Sequence, residues 1–137
     1  MVETQTKRGL VVGFGMPGRA AADKLLSAGY AGTVIELNAD TAARCERPGL
    51  HFIHGDAPDP AVLRDADPDR CTLAVVAVPN DTAAIDITRA LHALNAKLPI
   101  FARCHYTSTG LELRKSGAAQ VFVAEQIMAS HIADNLP

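Results

Sequence analysis

Three glycines spaced Gly13-x-Gly15-x-x-Gly18 follow directly on the apolar run Leu10-Val-Val12. A helical pattern begins at once behind them. That spacing suits the recognition of a phosphate by backbone. Gly13 permits a tight turn out of a strand. Gly15 has no Cβ, so a pyrophosphate can lie against the chain. Gly18 lets a helix pack closely on the strand before it. The helix N-terminus then offers unpaired N–H groups and the positive end of its dipole. A glycine-rich turn alone is often only a turn, but here a second strand follows, Thr33-Val-Ile-Glu-Leu37. Glu36 stands at its end, where a carboxylate accepts both ribose hydroxyls of an adenosine and repels a 2′-phosphate. Glycines and acid together describe a dinucleotide-binding βαβ unit, with NADP disfavoured.

Other candidates sit where further strands end. Asp56, in His54-Gly55-Asp56-Ala57, reads either as a ligand to adenine or ribose or as a turn aspartate before a helix. Asn80 and Asp81 read as N-caps of the helix that follows them. Arg103 is a cation in a mostly apolar strand. It must pair with a carboxylate or reach a ligand phosphate. Cys45, Cys71 and Cys104 are scattered, without a CxxC, and read as small buried residues in a reducing compartment. Cys104 and His105 are adjacent on a strand and point to opposite faces. The five aspartates from Asp56 to Asp69 read as caps and a solvated face. No catalytic residue and no metal site is assigned.

The elements that must hold these residues alternate throughout. Strands are expected at Leu10–Phe14, Thr33–Leu37, Leu50–His54, Leu73–Val78, Pro99–Cys104 and Gln120–Val123. Helices are expected at Pro17–Ala28, Asp40–Glu46, Asp59–Ala66, Asp81–Ala96, Ser108–Ser116 and Glu125–Leu136. The helix from Asp81 is the clearest, with Ala84, Ile87, Leu91 and Leu94 on one stripe. Gly117 is a natural stop for the helix before it. Six strands joined by right-handed crossovers give an α/β, doubly wound, Rossmann-like parallel sheet of order 3-2-1-4-5-6, with helices on both faces. The ligand crevice then lies at the carboxyl ends of strands one and four.

The 137 residues make one domain, 9–137, behind a polar lead-in, 1–8, that lacks a signal-peptide core. Apolar residues are 48% and charged residues 20%, the balance of a water-exposed globular fold. A net charge of −2 speaks against nucleic acid as a partner, and no apolar run has the length of a membrane span.

Gly13-Phe-Gly-Met-Pro-Gly18, Val34-Ile-Glu36, Gly55-Asp-Ala57, Ala102-Arg103 and Gly117-Ala-Ala-Gln-Val121 resemble the successive blocks of the RCK N-terminal domain, also called TrkA-N or KTN. The resemblance spans roughly residues 9–130. Ile100-Phe-Ala-Arg-Cys-His-Tyr106 is most similar to the domains attached to Kef-type cation:proton antiporters. It implies a cytoplasmic regulatory domain at the inner face of the membrane. Such a domain binds an adenine nucleotide and controls a potassium channel, transporter or antiporter. It also implies that Gly13, Gly15 and Gly18 line the phosphates, that Glu36 takes the ribose, that Asp56 and Ala57 flank the adenosine, and that Arg103 lines the site. Many members carry arginine where this chain has Met16, and Pro17 removes a backbone donor. Both departures favour AMP, ADP or NAD(H) over ATP. The family pairs as homodimers through its last strand and helix. Here Met128, Ile132 and Leu136 repeat at i, i+4 and i+8, a stripe for either a partner copy or the domain itself. The family's C-terminal subdomain has no counterpart, as in a single-subdomain regulator or a fragment of a transporter.

The competing reading is a small NAD-dependent oxidoreductase. Against it, no second domain holds a substrate, and neither Tyr30 nor Tyr106 is followed four residues later by lysine. A dimerisation domain with a vestigial site is the third reading.

Overall fold

Val11, in the middle of the first strand, is fully buried and pairs on one side with Val34 and on the other with Val75. Its neighbours Leu10 and Val12 are equally buried on the opposite face of the sheet. An apolar run without alternation suits a strand covered on both faces, and this one is the centre of the sheet. The computed structural model describes residues 6–44 and 47–137. Residues 1–5, Cys45 and Glu46 lie outside them. So do the reading of Cys45 as a buried thiol and the expected end of the second helix at Glu46.

The strands are β1 (Arg8–Val12), β2 (Ala31–Glu36), β3 (Leu50–His54), β4 (Leu73–Val76), β5 (Ile100–Cys104) and β6 (Gln120–Val123). Between and after them run α1 (Met16–Ser27), α2 (Ala39–Arg44), α3 (Pro60–Asp65), α4 (Asp81–Leu94), α5 (Thr107–Lys115) and α6 (Ala124–Asn135). All pairings are parallel, in the order β3-β2-β1-β4-β5-β6. The doubly wound sheet read from the sequence is the one observed.

Two cores flank the sheet. On one face Ala22 and Leu25 of α1 pack with Phe14 on Val11 and Val34. On the other, Leu63, Ile87, Leu91 and Leu113 from α3, α4 and α5 cover Leu10, Val12, Ile35, Val76 and Ile100. Each such side chain contributes about 1.5–3 kcal/mol on burial, so the second, larger core anchors the fold. No residue of α6 is buried, and Met128, Ile132 and Leu136 are 58%, 53% and 67% exposed. The stripe is therefore more than half exposed, and Leu136 lies past the helix, which ends at Asn135 because Leu136 is extended.

Several boundaries differ from expectation, each for a local reason. β1 starts at Arg8, inside the expected lead-in, because Arg8 joins the ladder opposite Ala31. It ends at Val12, before Phe14, because Gly13 turns the chain at φ +92° while its N–H donates to Ile35 O at 2.9 Å. β2 likewise runs two residues earlier at its start and one at its end. β4 stops at Val76 rather than Val78. α4 ends at Leu94 because Asn95 is extended, and its side-chain amide donates to Pro68 O at 3.2 Å. Pro68–Arg70 forms a 3-10 turn that the sequence pattern did not announce. α5 ends at Lys115, one residue before the expected Ser116, and closes at Gly117 as expected: Ala118 N–H donates to Leu113 O and Gly117 N–H to Arg114 O, with Gly117 at φ +115°. This is a Schellman closure.

Candidate functional site

The carboxyl ends of β1, β2, β4 and β5 surround a cavity of about 660 Å³. Gly13, Gly15, Met16, Pro17, Glu36, Asp56, Ala57 and Arg103 all line it. Gly18 does not. Its place is behind the wall, where a Cβ would overlap the carbonyl of Gly13. Gly18 therefore sets the approach of α1 to β1.

The fingerprint loop is built from both sides. A Cβ on Gly13 would press on the backbone of Ala77 and Val78 at 3.0 Å, so the loop lies directly against the end of β4. A Cβ on Gly15 would meet nothing within 4 Å among the described residues, which leaves open space over the loop. Gly15 is the N-cap of α1 and offers no side chain to the first donors of the helix, and Pro17 in that turn has no N–H. Phe14 anchors the loop. Its ring is fully buried, meets Phe52 edge-on at 5.1 Å, and carries the guanidinium groups of Arg19 and Arg47 each 5.7 Å from its centroid. Arg47 is in turn ion-paired with Asp23.

Glu36 stands across the loop. Its Oε2 accepts the Phe14 N–H at 3.2 Å. Its backbone carbonyl accepts the Gly55 N–H at 3.1 Å. One residue thus joins the ends of β1, β2 and β3, and its carboxylate keeps acceptor sites for a ligand. Asp56 is exposed at the rim, and Ala57 is buried beneath it.

Asn80 and Asp81, both expected as caps, have separate tasks. Asn80 is the cap: its side chain accepts the Ala83 N–H at 2.9 Å, and it also lines the cavity. Asp81 reaches across to the loop after β5. It accepts the His105 N–H at 3.0 Å, and its Oδ1 lies 2.9 Å from His105 Nδ1. Burial works to raise the Asp81 carboxyl, but these hydrogen bonds outweigh it and hold the group below its ordinary range. Arg103 Nη2 is 3.4 Å from His105 Nε2. Among the described residues no carboxylate pairs with Arg103. The sequence offered no sign of this Asp81–His105–Arg103 chain, because the pairing of β4 with β5 brings it together. Leu37 and Asn38, which follow β2, also line the cavity and were missed.

Glu125 at the start of α6 accepts both the N–H and the hydroxyl of Thr107 at 2.7 Å, which caps α5 from outside. Those bonds hold its carboxyl below the ordinary range. Burial pushes the Cys71 and Cys104 thiols up. A second, mostly apolar groove of about 690 Å³ lies beneath α6 and shares Met16, Pro17 and Arg103 with the first. Among the described residues no His, Cys, Asp and Glu cluster could hold a metal ion, and no helix is long and apolar enough to cross a membrane.

The family model of the TrkA-N domain matches residues 10–124. The putative cation/proton antiporter YbaL of Escherichia coli K12 is 27% identical over 120 residues, 88% of this chain and 22% of that protein. The glutathione-regulated potassium-efflux system protein KefC of Cronobacter sakazakii is 24% identical over 119 residues, 87% of this chain and 19% of that one. The chain thus spans about a fifth of the length of these relatives. Among solved structures, the TrkA-N domain of inner membrane protein YbaL from Escherichia coli superposes with a TM-score of 0.89 at 25% identity, covering 97% of this chain and 98% of that one. The GsuK channel bound to NAD gives 0.82 at 22%, covering 96% and 24%. The Shewanella denitrificans Kef C-terminal domain in its AMP-bound form gives 0.81 at 18%, covering 92% and 77%.

Proposed function

Because the chain belongs to the TrkA-N domain family, we propose that it is a regulatory domain that binds an adenine nucleotide in the cavity and thereby controls a membrane cation transporter or channel. The observation that carries this reading is the joint placement of Glu36 and the open face of Gly15 on one cavity wall. The ligand phosphates lie over Gly13, Gly15 and the first turn of α1, with Arg103 opposite. Glu36 takes the ribose hydroxyls. Asp56 and Ala57 flank the adenosine. Met16 is 85% exposed at the mouth and brings no cation to a distal phosphate, so AMP, ADP or NAD(H) is favoured over ATP. The GsuK and Kef domains of the same fold were solved with NAD and AMP. The domain works in the cytoplasm at the inner membrane face, joined to its transporter within one chain or by association. It pairs with a second copy through β6 and α6. Nucleotide binding shifts the population of dimer geometries, and the membrane partner responds to that geometry.

Calorimetric titration tests the reading. AMP, ADP or NAD binds, NADP binds at least about tenfold more weakly, and Glu36→Ala weakens the others about tenfold or more, since a hydrogen bond to a charged group is worth about 1.5–3 kcal/mol. Equal affinity for NAD and NADP removes Glu36 from the ribose. No binding of any adenine nucleotide removes the function.

A further inference from the structure

The corner between β5 and α5 holds a chain of polar groups that ends in the cavity. A carboxylate accepts only, so the 2.9 Å contact of Asp81 Oδ1 with His105 Nδ1 puts a proton on Nδ1. In the neutral ring this leaves Nε2 as a lone-pair acceptor. Arg103 Nη2, which can only donate, stands 3.4 Å from it. The guanidinium has no carboxylate partner among the described residues, and its side chain borders the cavity. The imidazole is the one side chain among them within hydrogen-bond reach of the guanidinium, while Glu36 and Asp56 line the same cavity and His131 shares the groove beneath α6 with it. A second ring proton turns Nε2 from acceptor to donor and sets a cation against a cation.

We propose that His105, fixed by Asp81, is a positioning residue for Arg103. Protonation of the imidazole releases the guanidinium toward the cavity, and the site then holds an anionic phosphate ligand more tightly. This rests on the reading above that Arg103 faces the ligand phosphate.

Other titratable groups also face His105. From α4 comes Asp81, whose carboxyl is held low by its hydrogen bonds despite burial. From α6 comes Glu125, whose N–H donates to His105 O at 3.2 Å and whose carboxyl is held low by Thr107. From β5 come Arg103 and Cys104. Burial keeps the latter a thiol, and it donates to Tyr106 O at 3.4 Å. The Tyr106 ring lies 6.1 Å away, centroid to centroid. Histidine is the side chain whose charge ordinarily changes between about pH 5 and 8.

NAD is the suitable probe, because its diphosphate bridge carries no proton that titrates in this range, whereas the monoester of AMP does. Calorimetric affinity for NAD is expected to rise about fivefold or more from about pH 8 to about pH 6, the size of an ordinary coupling between sites. His105→Gln keeps a polar side chain that cannot titrate, and its profile is expected to be flat. Arg103→Gln keeps the imidazole but has nothing to release. It binds NAD more weakly and is also flat. Circular dichroism checks that both variants fold. Independently of any variant, NAD binding at about pH 6.5 is expected to take up a fraction of a proton. The buffer dependence of the binding enthalpy measures that uptake.

A flat wild-type profile, or no proton uptake, overturns the proposal. So does a wild-type slope in His105→Gln. A slope that persists in Arg103→Gln makes His105 a bare charge and overturns its positioning role. Binding of NAD without pH dependence refutes this inference alone, whereas failure of NAD, AMP and ADP to bind at either pH refutes the function proposed above along with it.

Discussion

Gly15 and Gly18 are the same residue in opposite surroundings. A Cβ on Gly15 projects into open space at φ −74°, where any residue is at ease. A Cβ on Gly18 collides with backbone that cannot move aside. Gly15→Ala is therefore expected to keep the stability within about 0.5 kcal/mol of wild type while weakening nucleotide binding, because the methyl occupies ligand space. Gly18→Ala is expected to lose about 1–3 kcal/mol or more of stability by overpacking. Thermal unfolding of the two variants beside a nucleotide titration separates the roles. A Gly15→Ala protein that binds as well as wild type would move the phosphate away from this loop. At this scale the sequence was informative where one residue type has few uses. A carboxylate after the second strand and a Cβ-free position before a helix each have a narrow physical purpose. Asp81 was not legible, because an aspartate before a helix is as good a cap as an asparagine. Only the fold shows that Asn80 caps while Asp81 spans 24 positions to His105.

Among the elements, α6 stands apart. Ile127, Met128 and Ile132 on it, and Leu136 just past its end, are all exposed. If this face pairs with a second copy, Ile132→Asp yields monomers with the sheet intact. Light scattering at high micromolar concentration checks this, with circular dichroism as the test of folding. A monomeric wild-type chain would end the pairing proposal. Element type and sheet order were legible from the period of apolar residues, since right-handed crossovers leave few ways to thread six parallel strands. Element ends were less so. Arg8 joins β1 only because Ala31 lies opposite, a fact of register. The turn at Pro68–Arg70 depends on Asp67 in the left-handed region, φ 51°, which aspartate adopts without announcing it.

For the molecule as a whole, acid acts first at one corner. The carboxyls of Asp81 and Glu125 are both held below their ordinary range, and both secure the loop after β5. A depressed folded-state value gives stability that is fully present above the unfolded value. It is lost as pH falls through the lower, folded one. The amides of His105 and Thr107 are thus expected to exchange faster as pH drops below about 4, relative to their intrinsic rates, before the core of β1 opens. Hydrogen exchange followed by NMR reads this. Protection lost uniformly across the sheet would mean the two carboxylates do not hold that corner. The same corner is the root of α6, whose Glu125 N–H donates to His105 O. None of the twelve residues of α6 is buried. Such a rod is about 18 Å long. A tilt of about 10° at its base swings its tip by about 3 Å, so a displacement too small to repack the sheet is read out at the far end as one wide enough to break a contact.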